Sequence, residues 1–360
     1  MRVLIVKMWA LGDILMATPI LASLKKQFPN CRISWITDKF YADVLRNNPH
    51  LDELIEIDSG DWTRKFRRGD FVRFYRESTA MRADLAKRNF DVVINLTPEK
   101  WWTVWMLAAP RRIGLYPGRR PTWTSRWYTD VLTRHETGDS ALHNTDHYLL
   151  TARELGCDDP DFHMSIGETP DEEVFLSEFR IRHSLLADRL TVVLAPFATT
   201  ANRCWEPERL AELSDWLHDK YGAQVILTLA PRNREEAAAI ARRAKSGKLV
   251  VAEGTSIRES IALMRWADLT VCVDSAPMHI AGALGKPFVA LFGPTPVDQR
   301  LPLVGHGTAI AKSLPCAPCD LPTCSQRVFR QCMKLISVDE VKGAVAAKLA
   351  GVGVPANSDL

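Results

Sequence analysis

Asp274, Ser275 and His279 stand close together where an apolar run ends and a short helical pattern begins, in VCVDSAPMHIAGALGKPFVALFGPT, Val271 to Thr295. Strand, small polar turn (Ser275, Ala276, Pro277), helix over 278–284 and a second buried strand over 287–292 make one unit of a parallel α/β sheet. Ligands of open α/β sheets bind at the carboxyl ends of the strands. The first turn of the helix offers free N–H groups and the positive end of the helix dipole, which suit a phosphate. A purely architectural reading is also open: Asp274 or Ser275 caps the helix and His279 packs beneath it.

A second group is sulfur. Cys316, Cys319, Cys324 and Cys332 form C-x2-C-x4-C-x7-C, stiffened by Pro315, Pro318 and Pro322. Four thiolates at short spacing can hold zinc or iron. Reduced free thiols and disulfides are the other readings, and a cytosolic chain does not hold disulfides by default. Cys31, Cys157, Cys204 and Cys272 are scattered and read as buried or inert.

A third group is aromatic and basic. The segment 62–76, WTRKFRRGDFVRFYR, mixes Arg64, Lys65, Arg67, Arg68, Arg73 and Arg76 with Trp62, Phe66, Phe71, Phe74 and Tyr75. It can bind an anionic membrane surface or a phosphorylated lipid, or be a solvated helix with its aromatics in the core. Trp101, Trp102 and Trp105 follow Pro98 on an expected helix, as a sugar-stacking or lipid-contacting wall or as core.

The elements that must position these groups alternate. Strands are expected over 2–6, 32–37, 54–57 and 91–96, and again over 190–194, 225–229, 249–251 and 268–273. Residues 7–12 read as a loop and Asp13 as the opening of a helix to about Lys26, with Pro19 marking a kink or a late start. Only Gly12 stands where a dinucleotide fingerprint has three glycines, so a nicotinamide enzyme is disfavoured. Residues 114–127 read as a long loop and 143–155 as a helix. Residues 157–171 have the Pro, Asp and Gly content of a linker, which sets domains at 1–168 and 169–360, the second carrying the Cys-rich segment 315–332. Ser256 and Glu259 are spaced as a capping box. At 360 residues two domains are the natural expectation. Hydrophobic residues at 46% and charged residues at 25% describe a soluble globular chain. No apolar run reaches membrane-span length and no signal peptide is read, so a cytoplasmic location is expected. A net charge of +3 is too small to argue for nucleic acid.

Three blocks, VLIVKMWALGDILMATPILASLKKQFP, ATTANRCW and the 271–295 stretch, together resemble glycosyltransferase family 9, the ADP-heptose:lipopolysaccharide heptosyltransferases, over nearly the whole chain. The resemblance implies a GT-B fold: two Rossmann-like doubly wound domains facing a central cleft, acceptor on the first and nucleotide-sugar on the second. It implies inverting transfer of heptose from ADP-heptose to an inner-core lipopolysaccharide acceptor, with no cofactor required. The implied partners are that donor, that acceptor and the inner-membrane surface, with no nucleic acid. Asp13 matches the family's general base, and an N-cap carboxylate is the competing reading. Ser275, Ala276 and His279 match the nucleotide-binding turn, with Asp274 at its entrance. Thr199 and Thr200 match the other phosphate-contacting loop. The family usually has a lysine two residues before the tryptophan; here Arg203 precedes Trp205, keeping the charge and adding a fork suited to phosphate. Phe197 stands where a glycine is common. Glu235 is a candidate for the ribose hydroxyls, or an exposed helix carboxylate.

Two other classes fit parts of the pattern. One is a different GT-B enzyme, a sugar-nucleotide epimerase or a transferase to a protein hydroxyl. The other is a non-catalytic nucleic-acid-binding protein with a zinc knuckle, which leaves the 274–279 turn unexplained.

Overall fold

The computed structural model describes residues 1–118, 121–133, 142–351 and 353–354, and the backbone but not the side chain of Arg67. Arg119 and Arg120, within the expected loop 114–127, lie outside the described residues. The chain divides into two compact units, Met1–Glu168 and Thr169–Leu360.

The first unit runs β1 (Arg2–Val6), α1 (Leu11–Ala17), α2 (Pro19–Gln27), β2 (Arg32–Asp38), β3 (Glu53–Ile57), α3 (Ser59–Arg67), α4 (Phe71–Lys87), β4 (Val92–Asn95), β5 (Arg111–Tyr116), β6 (Asp130–Thr133) and α5 (Asn144–Arg153). Its sheet has the order β3-β2-β1-β4-β5-β6, and every pairing is parallel. The expected single helix after β1 is two. Pro19 has no N–H to give and opens α2 at its first position, with Thr18 as the break. Residues 101–106 form a 3-10 turn rather than an α-helix, and 111–116 and 130–133 are strands inside the expected loop and beyond it. The expected linker is also different in kind. Residues 159–168 are strapped to the unit: Asp161 N–H donates to Ser23 Oγ (2.9 Å), Ser165 N–H to Thr18 Oγ1 (3.0 Å) and Asn47 Nδ2 to the Glu168 carbonyl (2.9 Å).

The second unit runs α6 (Pro170–His183), β7 (Thr191–Ala195), α7 (Pro207–Tyr221), β8 (Gln224–Thr228), α8 (Arg234–Arg243), β9 (Leu249–Ala252), α9 (Ile257–Trp266), β10 (Leu269–Val273), α10 (Ala276–Ala283), β11 (Phe288–Phe292), α11 (Val297–Arg300), β12 (Gly307–Ala311), α12 (Gln331–Lys334) and α13 (Val338–Gly351). Its order is β12-β11-β10-β7-β8-β9, again all parallel. Renumbered from its own first strand, this is the order of the first sheet. Strands β7, β8, β10 and β11 are buried at all five positions, as strands covered on both faces must be, and this explains their unbroken apolar runs. Helix α9 has the expected Ser256–Glu259 capping box. Buried Glu172 on α6 takes Arg258 (2.9 Å) and Arg265 (3.0 Å) of α9. Each unit is therefore a doubly wound α/β domain whose strand order reverses between its first and fourth strands, β1/β4 and β7/β10, the position where such folds take ligands.

Candidate functional site

In the second unit the loops after β7 and β10 meet at that reversal point. Arg203, on a 3-10 turn over 201–203, reaches Asp274 at the end of β10, with Nη1 3.3 Å from Oδ2. Asp274 is 2% exposed, and its N–H is fixed to the Leu291 carbonyl at 3.1 Å. A buried carboxylate beside a guanidinium holds the fork in place and keeps an otherwise expensive charge paired. Asp274 is thus turned to Arg203, and its structural part is to orient that cation.

Helix α10 follows directly. No side chain caps it: Ser275 is extended (φ −160°), and its hydroxyl donates back to the Val273 carbonyl at 3.3 Å. The capping alternative for Asp274 and Ser275 fails here, and the first turn, beginning at Ala276, keeps its dipole for an anion, although Pro277 has no N–H and the Met278 N–H donates to the Ser275 carbonyl at 3.0 Å. His279 is buried on the same helix. Several buried polar atoms around these loops have no hydrogen-bond partner among the described residues: Thr200 Oγ1, Arg203 Nε, Thr295 Oγ1 and Asn202 Oδ1, while Asp274 Oδ2 has only its ion pair with Arg203. Buried polar groups are normally paired, so such a cluster marks a place for a polar ligand. Thr295, 2% exposed after β11, belongs to it and was not expected from the sequence. The Gly293-Pro294 pair before it was the available signal.

Thr199 is exposed on the same loop as Thr200. Glu235 is exposed in the first turn of α8, and no contact ties it to Arg203 or Asp274. The structure does not bring it into the cluster. Among the thiols of this region, burial pushes Cys272 up, and the neighbouring Asp274 charge adds to this. Burial likewise raises Cys204.

In the first unit the reversal point lies beside β1. Helix α1 begins at Leu11, with Ala10 at its N-cap in a left-handed conformation (φ 66°) and no side-chain cap. Asp13 is therefore a first-turn carboxylate rather than the cap, and Leu11 and Gly12 are already helical. Its Oδ2 is 3.7 Å from Lys7 Nζ. Lys7 is 6% exposed, with Nζ 5.4 Å from the Tyr148 ring centre. The loop between them is pinned by Trp9, whose indole donates to Ser59 Oγ at 2.9 Å and packs edge-on against Trp102. Trp102 and Trp62 are core, while Trp101 and Trp105 lie against Phe74 and Tyr75 of α4.

All eight cysteines are free. Cys316, Cys319, Cys324 and Cys332 line one cavity with Asn202 and Arg330. Among the described residues no three His, Cys, Asp or Glu side chains are gathered so as to hold a metal ion, so of the three readings of these cysteines the arrangement seen is that of free thiols. Cys332 is held on α12 against the end of β11, where a Cβ on Gly293 would stand 3.3 Å from its sulfur, and Cys319 is exposed. Burial raises the Cys332 thiol, and Cys324 and Cys316 add to the effect. The cavity adjoins the Arg203 loop through Asn202.

Residues 78–328 match the model of glycosyltransferase family 9 (heptosyltransferase). Lipopolysaccharide heptosyltransferase 3 of Escherichia coli (strain K12) is 28% identical over 292 residues, 79% of this chain and 80% of that protein. The crystal structure of a glycosyl transferase family 9 protein from Veillonella parvula superimposes with a TM-score of 0.82 at 23% identity, covering 97% of each chain. The E. coli heptosyltransferase WaaC with ADP-2-deoxy-2-fluoro heptose gives 0.70 at 21% identity, covering 96% of this chain and 99% of that one. The two six-stranded parallel sheets are the two Rossmann-like halves of a GT-B glycosyltransferase. With the family model spanning well over half of it, the chain belongs to glycosyltransferase family 9, the heptosyltransferases.

Proposed function

We propose that this enzyme moves heptose from ADP-heptose to an inner-core lipopolysaccharide acceptor with inversion at the anomeric carbon. The second unit takes the donor and the first takes the acceptor. The observation that carries the reading is the Arg203–Asp274 pair at the reversal point of the second sheet, beside the uncapped first turn of α10. Arg203 and that turn supply the positive potential a departing diphosphate needs. Thr199, Thr200 and the Ser275–His279 turn complete the contacts to the nucleotide-sugar. Asp13 takes the proton of the acceptor hydroxyl as its oxygen bonds to the anomeric carbon; the bond to the diphosphate breaks and ADP leaves. Lys7 holds the Asp13 carboxylate in place.

The test is nucleotide release from a panel of ADP- and UDP-sugars, with and without lipopolysaccharide acceptors. ADP release that needs both ADP-heptose and acceptor is expected. Preference for a UDP-sugar, or turnover of the sugar nucleotide without acceptor, overturns the reading.

Among the described residues no helix is long and apolar enough to cross a membrane. The acceptor is nonetheless a lipid, and α3 and α4 present exposed Phe66, Phe71, Val72 and Tyr75 beside exposed Arg64, Arg68, Arg73 and Arg76. The reading therefore includes a cytoplasmic enzyme that docks on the anionic face of the inner membrane, which co-sedimentation with phosphatidylglycerol vesicles checks.

A further inference from the structure

None of the residues assigned to the transfer lies in the Cys-rich segment, yet the segment is tied to the loop that carries Arg203 and to the loop that follows β11. On one side, the N–H groups of Cys319 and Asp320 donate to the Pro294 carbonyl (2.9 and 2.7 Å), and Arg300 pairs with Asp320 at 3.1 Å. On the other, Arg330 Nη1 donates to the carbonyls of Cys204 (2.7 Å) and Ala201 (3.3 Å), and its Nη2 is 3.6 Å from Glu206 Oε1. Asn202 Nδ2 donates to the Leu321 carbonyl at 2.9 Å. Ala201, Asn202 and Cys204 are thus all held from the segment. Arg203, between them, is the residue turned away to Asp274.

Arg330 has the backbone of a residue kept for its side chain. Its φ is +48°, a left-handed conformation that glycine takes without strain and arginine does not. Its N–H donates to Cys324 Sγ at 3.3 Å, and its carbonyl receives the N–H groups of Met333 and Lys334 (3.0 and 3.1 Å), which starts α12. One guanidinium therefore fixes the carbonyls on both sides of Arg203, and its own backbone is fixed by the cysteine segment.

We propose that Arg330 is a positioning residue of the donor site, clasping the 201–204 loop so that Arg203 is presented to the diphosphate of a nucleotide-sugar. The proposal rests on Arg203 being the diphosphate contact. Because Arg330 acts through the loop, its loss lowers nucleotide affinity without removing the phosphate ligand itself.

The experiment measures ADP affinity by calorimetry and the thermal midpoint of the full chain for wild type, Arg330→Ala, Arg330→Gly, Arg330→Lys and Arg203→Ala. Arg330→Gly relieves the left-handed backbone and melts higher than Arg330→Ala. Both bind ADP about tenfold more weakly than wild type, the scale of one charge-assisted hydrogen bond. Arg330→Lys keeps one donor toward the carbonyls and recovers part of the loss. A weakening that followed stability alone would instead leave the glycine variant the better binder of the two, and that overturns the proposal. ADP affinity within twofold of wild type in both the glycine and lysine variants also overturns it. Arg203→Ala then separates the causes: if it weakens ADP binding, the donor reading stands and only the clasp fails. Loss of affinity in the Arg330 variants with none in Arg203→Ala overturns the route through Arg203.

Discussion

Asp13 is the residue on which the proposed chemistry turns, and its surroundings suit a base. It sits in the first turn of α1, where the helix dipole favours a carboxylate, and a buried lysine stands 3.7 Å from it. Because Asp13 is not the N-cap, replacing it removes no capping bond. Asp13→Asn keeps the size of the side chain and cannot accept the proton, so turnover is expected to fall by roughly two to four decades. ADP affinity, set in the other unit, stays within about twofold of wild type on the scale of a removed surface contact. Calorimetry beside steady-state turnover on this one variant checks both. Turnover surviving within a few-fold would place the base elsewhere. Part of this candidate site was legible in the chain itself: Asp274 and Ser275 stand out because they end an apolar strand, whereas Asp13 and Arg203 are marked by the family resemblance of their segments. Thr295, Glu206 and Arg330 were not. Arg330 owes its place to partners far away in the chain, Ala201 and Cys204, which no local spacing records, and Glu206 enters through Arg330, whereas Thr295 is marked by a buried hydroxyl without a hydrogen-bond partner among the described residues. Glu235, which the family resemblance offers as a contact to the ribose hydroxyls and which reads otherwise as an exposed helix carboxylate, is exposed in the first turn of α8.

At the scale of elements, the central strands were legible because burial on both faces forces continuous apolar runs. The edges were not. Strand β6 is a four-residue edge with Asp130 in it, and β12 is half-exposed and opens on Gly307. Neither carries the run that marks a buried strand. The tryptophans over 101–105 mimicked helical spacing, but the chain makes a 3-10 turn there, with Trp101 against Phe66 and Phe74 and Trp105 against Tyr75. The aromatic-basic segment proved to be two elements with divided duties. Trp62 and Phe74 face the core, while Phe71, Val72 and Tyr75 face out. Arg68, Arg73 and Arg76 are exposed and in no ion pair among the described residues, whereas Lys65 is engaged by Asp61 and Glu77 (2.5 Å each). Free cations beside exposed rings are what an anionic interface recognises, each basic residue contributing about 1 kcal/mol. The chain is expected to sediment with phosphatidylglycerol vesicles, less with phosphatidylcholine, and less as salt rises. Arg73→Glu with Arg76→Glu should lower binding to the anionic vesicles by about tenfold or more. Equal sedimentation of that double variant would show the face to be merely solvated.

On the scale of the whole molecule, the same strand order is used twice, and each unit sets one charged pair beside its own reversal point. Lys7 and Asp13 follow β1; Arg203 and Asp274 follow β7 and β10. The chemistry of the two pairs differs in sign. The first exposes a carboxylate in front of a buried ammonium, and the second a guanidinium in front of a buried carboxylate. A diphosphate is repelled by the first arrangement and attracted by the second, so ADP alone should recognise one unit only. Binding stabilises whatever it binds, by about 2.7 kcal/mol at a hundredfold excess over Kd. Amides that exchange only when that unit opens then slow by roughly a hundredfold. Hydrogen exchange with saturating ADP should therefore protect 196–206, 274–280 and, through the clasp, 316–332. Residues 7–18 should exchange as they do without nucleotide. Arg203→Ala should abolish the pattern, and Asp13→Asn should leave it intact. Protection of 7–18 equal to that of 274–280 would mean that ADP engages both units, and the division into a donor half and an acceptor half would have to be abandoned.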